Sequence, residues 1–133
     1  MISTKGRYAL RVMIDLAEHQ SDTPIPLKDI AERQSISKKY LEIIVKELVN
    51  GKMLSGISGK HGGYRLTRKP EEYSVGEIIE LMEGSLAPVA CLAKDAAACP
   101  RAAECETLPF WIEFDSMVNS FLYSRKLSDL AGA

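Results

Sequence analysis

Apolar residues recur at helical spacing from the start of the chain. Ala9, Val12, Met13, Leu16 and Ala17 share one face of a segment that Ser3 is placed to cap. The pattern fades at His19-Gln20-Ser21-Asp22, and Thr23-Pro24-Ile25-Pro26 predicts an extended link, since a proline biases the residue before it away from the helix. Leu27–Gln34 follows as a short helix with Leu27, Ile30 and Ala31 on one face. Ser35-Ile36-Ser37 then turns the chain into a longer helix that begins at Lys38. Ser37 is its predicted N-cap, and Ile36 packs on Leu41 as a hydrophobic staple. Tyr40, Leu41, Ile44, Val45 and Leu48 form its buried stripe. Short helix, tight turn, second helix is helix-turn-helix grammar.

Gly51 ends the second helix, and the period then changes from helical to alternating. Met53–Ser58 and Tyr64-Arg65-Leu66-Thr67-Arg68 predict two strands, joined through the turn Gly59-Lys60-His61-Gly62-Gly63. A hairpin directly after a helix-turn-helix is a wing. Ser74 and Glu77 form a capping box that opens a short helix through Ile78, Ile79, Leu81 and Met82, stopped near Gly84. An irregular, alanine-rich segment comes next. From Glu106 the helical period returns, with Phe110, Phe114, Met117, Val118 and Phe121 in one stripe and Trp111 and Leu122 beside it. So wide an apolar face exceeds what one helix buries against a small domain, and it predicts a second copy as its cover. The expected fold is mainly α: a winged helix-turn-helix with a small β-hairpin wing and a long C-terminal dimerisation helix. The expected division is a DNA-binding domain over 1–84, a cysteine-bearing sensor loop over 85–105, and the dimerisation helix and tail over 106–133.

Composition adds little to this picture, but the placement of charge adds a good deal. At 133 residues, with 46% hydrophobic and 26% charged residues, the chain has the make-up of a soluble globular protein. No apolar run approaches the roughly 20 residues of a membrane helix, and nothing N-terminal resembles a signal peptide, so a cytoplasmic protein is expected. The net charge of −1 conceals an asymmetry: residues 1–70 carry 13 lysines and arginines against 7 acids, and residues 71–133 carry 4 against 11. A basic N-terminal half suits a polyanion. Ser37, Lys38 and Lys39 stand in the first turn of the second helix, where a recognition helix meets bases and phosphates. The wing tip, with Lys60 and His61 and with Arg65 and Arg68 nearby, suits a phosphate or a minor groove. His61 reads as a surface turn residue rather than a ligand.

The chain's 3 cysteines, Cys91, Cys99 and Cys105, all lie in the irregular segment. In a reducing compartment an odd count argues against a disulfide framework and for metal, iron–sulfur or thiol-switch chemistry. No histidine follows His61, so a zinc site of three cysteines and one histidine cannot be completed within this segment. A fourth ligand could be a carboxylate such as Asp95, Glu104 or Glu106, or a residue of a second subunit. No nucleophile–base motif or phosphate loop is recognisable, so an enzyme is not expected.

Several segments together resemble the IscR/NsrR/CymR family of bacterial winged-helix regulators. They are Ile2-Ser3-Thr4-Lys5-Gly6-Arg7-Tyr8-Ala9-Leu10, Ile36-Ser37 with Tyr40-Leu41-Glu42, Gly62-Gly63-Tyr64, and the cysteines ahead of Trp111. The resemblance covers nearly the whole chain. It implies a homodimer with crossed C-terminal helices, a palindromic operator in double-stranded DNA, and a signal from iron–sulfur status, nitric oxide or redox state. It places Ser37, Lys38, Lys39 and Glu42 against bases or phosphates, and it makes Cys91, Cys99 and Cys105 ligands of a 2Fe-2S or 4Fe-4S cluster. The chain departs from the cluster-binding member in three places and from the nitric-oxide sensors in one. Ser58 replaces a wing arginine, and the interval from Cys91 to Cys99 is longer. Leu108 stands where that member has a histidine ligand, and Arg7 stands where nitric-oxide sensors of the family have a carboxylate. A small iron–sulfur or redox protein with a merely structural helix-turn-helix is the alternative. A regulator controlled by a partner protein is another.

Overall fold

The computed structural model describes residues 2–92 and 103–132. Helix α1 (Thr4–Glu18) is central, and α2 (Leu27–Gln34), α3 (Lys38–Asn50) and α4 (Val75–Glu83) pack around it. Ala9, Val12, Met13 and Leu16 of α1 meet Ile30 of α2, Leu41, Ile44, Val45 and Leu48 of α3, and Ile78 of α4 in one buried cluster. These are the stripes that the periodicity predicts. Strands β1 (Leu54–Ile57) and β2 (Gly63–Leu66) pair antiparallel, with Leu54 opposite Leu66 and Ile57 opposite Gly63, and form the expected hairpin. The architecture is the winged helix-turn-helix read from the sequence.

The predicted caps separate into local and distant cases. Ser37 caps α3, its Oγ accepting from the Tyr40 amide at 3.2 Å, and Ile36 joins Leu41 in the same buried cluster. Ser74 and Glu77 form their reciprocal box, and Gly84 takes a left-handed φ of 80° after α4. Ser3 occupies the cap position of α1, but its side chain accepts nothing from the helix. Its amide and hydroxyl both donate instead to Glu83 Oε1, at 2.8 and 2.7 Å. A carboxylate at a helix N-terminus opposes the positive end of the dipole, so Glu83 takes over the role expected of Ser3. Burial pushes the Glu83 carboxyl up, but the Ser3 hydroxyl and amide and the Gly6 amide outweigh this and hold it below the usual range.

Three contacts between residues far apart in sequence complete the domain. Ile25, in the extended link, pairs with Tyr64 through bonds of 2.9 and 2.8 Å and adds a third, single-residue strand to the wing. Tyr73 is fully buried. Its hydroxyl donates to the Met53 carbonyl at 2.7 Å and accepts from the Thr67 and Arg68 amides, joining the root of the wing to α4. The C-terminal helix α5 (Leu108–Ser124) ends where Ser74 and Lys126 form a bridge, and a further helix α6 (Leu127–Leu130) follows. Leu127 is fully buried in the main core, so the tail returns to the domain built by the N-terminal helices.

Candidate nucleic-acid interface and cysteine segment

The pose of α3 depends on a polar knot between α1 and α2. Asp15 is fully buried, and both of its oxygens are engaged. Arg33 donates from Nε at 3.0 Å and from Nη2 at 2.7 Å, and the Gln34 amide donates at 3.0 Å. Arg11 then holds the Gln34 side chain at 3.1 Å and also binds its carbonyl. The last turn of α2 is thereby fixed to α1, and Ser35, at φ 54°, swings the chain into α3. A non-glycine residue in this region is uncommon, and here it sets the angle between the two helices.

With Leu41, Ile44, Val45 and Leu48 buried, helical geometry decides what α3 shows to solvent. Lys39, Ile43, Lys46 and Asn50 recur at spacings of about four, three and four residues, opposite the buried stripe. Lys38 and Glu42 flank that ridge near the helix N-terminus, and Ser37, Lys38, Lys39, Glu42, Ile43 and Lys46 are all exposed. Ser37, Lys38, Lys39 and Glu42 therefore stand together as expected. The sequence reading missed Ile43, Lys46 and Asn50, which the same periodicity, followed round to the far side of the helix, would have found.

Lys60 and His61 are exposed at the turn of the wing. Gly59 adopts φ 108°, which only glycine takes without strain. At Gly63 a Cβ would lie 2.4 Å from the Ile25 carbonyl oxygen, so glycine is what lets the third strand approach. Lys46, Val49 and Asn50 of α3 face Gly56, Ile57, Ser58 and Tyr64 across a groove between helix and wing. Arg65 is exposed on β2, and its guanidinium donates to the Asp22 carbonyl at 2.6 Å, tying the wing to the α1–α2 link. Arg68 turns inward, over the Tyr73 ring at 4.4 Å and against Glu77 at 2.8 Å. Burial pushes the Glu77 carboxyl up, but Arg68 and Ser74 outweigh it and hold it below the usual carboxylate range. Arg68 therefore contributes to the basic count of this half without offering a free cation to the surface.

Cys91 is exposed in a short turn (Ala90–Leu92), and Cys105 is half-buried ahead of α5, its Sγ 3.4 Å from Thr107 Oγ1. Cys99 and Asp95 lie outside the described residues. Glu104 and Glu106 are exposed beside Cys105, while Arg7 on α1 donates to Thr4 Oγ1 at 3.1 Å. Among the described residues no group of three or more histidine, cysteine or acidic side chains is gathered to hold a metal. Helix α5 buries none of its residues fully. Leu122 packs on Val75, Ile79 and Leu86, and the Tyr123 ring covers Gly76. Burial, and then the bond from its hydroxyl to Glu80, push the Tyr123 phenol up to about 12. On the outer side Phe110 is 62% and Met117 65% exposed, with Phe114 and Phe121 in the same stripe. Among the described residues no helix is long and apolar enough to cross a membrane.

A protein named rrf2 from Nitratidesulfovibrio vulgaris is 38% identical over 129 residues, covering 97% of this chain and 85% of its own. The HTH-type transcriptional regulator IscR of Aliivibrio salmonicida is 37% identical over 129 residues, covering 97% of this chain and 76% of its own. The solved structure of CymR, the global cysteine regulator of B. subtilis, superposes with a TM-score of 0.78 at 37% identity, over 98% of this chain and 95% of that one. The Rrf2 model, described as an iron-dependent transcriptional regulator, matches residues 2–133 and so takes in the wing, the cysteines and the returning tail alike. A helix-turn-helix with a hairpin wing, matched in this way along its length, is a transcription regulator, and the chain belongs to the Rrf2 family.

Proposed function

We propose that the chain is a cytoplasmic homodimer that binds a palindromic operator in double-stranded DNA, with α3 in the major groove and the wing tip at the adjacent minor groove. It acts by occupying DNA, not by catalysis. The division of labour is 1–84 for DNA, 85–105 for sensing and 106–133 for dimerisation through α5, with the tail after α5 completing the core of the first part. The observation that carries the reading is the outward face of α3, where Lys38, Lys39 and Lys46 are solvent-exposed around Glu42 and Ile43. Lysines there reach guanine or phosphate, and a glutamate accepts from the cytosine amino group. Lys60 and His61 at the turn add the wing contact, and Arg65 holds the wing in place for it. Each phosphate contact removed lowers the salt slope of binding by about one. Lys39→Ala and Lys60→Ala are therefore expected to bind more weakly across all sequences, with shallower salt dependence. Unchanged affinity and slope, measured by fluorescence anisotropy across a salt series, would remove these residues from the interface.

We further propose that Cys91, Cys99 and Cys105 ligate a 2Fe-2S or 4Fe-4S cluster. Thiolates are the donors that iron–sulfur clusters take, and an exposed Cys91 and a half-buried Cys105 suit a group that must exchange with solvent. When bound, the cluster would supply a centre, held by the three thiolates, whose charge and integrity change with iron supply or oxidation. The chain's own part is mechanical: the segment runs from Glu83, which holds the start of α1, to the start of α5. Anaerobic reconstitution with iron and sulfide is expected to give visible absorption, and Cys91→Ala, Cys99→Ala or Cys105→Ala each to lose it. A colourless wild-type protein would overturn the cluster. Oxidation of the thiols would then be the switch to test.

A further inference from the structure

We propose that Ile43 reads a thymine 5-methyl group in the major groove and is a specificity-determining residue of α3; this rests on the DNA-binding reading above. Ile43 is 54% exposed and lies outside both apolar clusters of the protein. It stands on the ridge opposite the buried stripe, one turn from Lys39 on one side and from Lys46 on the other. An apolar protein surface covering Ile43 would have to desolvate both ammonium groups, which is costly unless each finds a partner. A DNA duplex has no such conflict. Its phosphates take the lysines, and the thymine methyl is the apolar group that the four base pairs expose in the major groove. Guanine offers acceptors in that groove, cytosine a donor, and adenine both, and these polar edges would lose water against isoleucine without compensation. A β-branched side chain in a helix also has one strongly preferred χ1 rotamer, so the methyl contact is held in one place.

The test begins with a preferred duplex selected from a random pool by the full chain, and each thymine in it is then replaced singly by deoxyuridine. One thymine per half-site is expected to be sensitive, binding falling about fourfold when its methyl is removed, the value of one buried methylene. Ile43→Ala is expected to bind the thymine and uracil duplexes equally while keeping the wild-type thermal midpoint, because the residue lies on the surface. Ile43→Gln, carrying an amide suited to adenine, is expected to select adenine at the same position. Uracil insensitivity throughout the wild-type operator, or a sensitivity that survives in Ile43→Ala, would overturn the assignment. A pool yielding no preferred sequence would overturn specific DNA binding itself, and this assignment with it.

Discussion

Asp15→Ala is expected to cost about 2–4 kcal/mol of stability, the loss that follows when a buried charge pair is deprived of one partner. Asp15 has no solvent exposure and accepts from both Arg33 and Gln34, and its removal deprives the guanidinium and the amide of that partner at once. The Arg33 side chain is 34% exposed and can turn to water, which keeps the cost below that of a fully enclosed pair. The same change frees the end of α2 from α1, so operator affinity is expected to fall further than stability alone accounts for. Asp15→Asn keeps the shape and one acceptor and is expected to lose less. Urea unfolding of the three proteins measures this, and a shift of under about 0.5 kcal/mol in the alanine protein would show that the knot does not hold the helix pair.

How far the sequence led depended on how far apart the interacting residues lie along the chain. Ser37 and Ile36 were legible because cap, staple and stripe all fall within one turn of the helix they serve. Ser3 looked equally good as a cap. Its hydroxyl answers instead to Glu83, which is remote in sequence and near in space only because α4 packs on α1. Ile25, between two prolines, reads as an extended link, and extended it is. That its backbone would pair with Tyr64 required knowing that Gly63 leaves room for it. Tyr73 and Leu127 gave no signal, since one apolar residue outside a periodic run reads the same whether it is exposed or central. The cysteines were legible as chemistry and not as geometry: which groups meet Cys91 and Cys105 depends on a path that spacing does not determine. On α3 the ridge of Ile43 and Lys46 follows from the same period as the buried stripe, half a turn away, so it is legible once that stripe is fixed.

Phe114→Glu with Phe121→Glu is expected to convert the proposed dimer to monomers. Phe110, Phe114, Met117 and Phe121 recur at spacings of about four, three and four residues, the seam that lets one helix pack along another. That seam faces solvent in the single chain, while Leu122, on the other side of α5, is the residue that packs on α4 and Leu86. Burying a phenylalanine is worth about 1.5–3 kcal/mol, and in a two-fold dimer every substitution counts twice. Four phenylalanines of the seam exchanged for four charges that must be desolvated remove its apolar gain and add a desolvation cost. The fold of each subunit is expected to survive, because neither residue is buried in it and the main core does not include them. Sedimentation equilibrium is expected to show monomers with near-native helical content, and operator affinity is expected to fall to that of one half-site. A dimer that persists at micromolar concentration would place the subunit contact elsewhere.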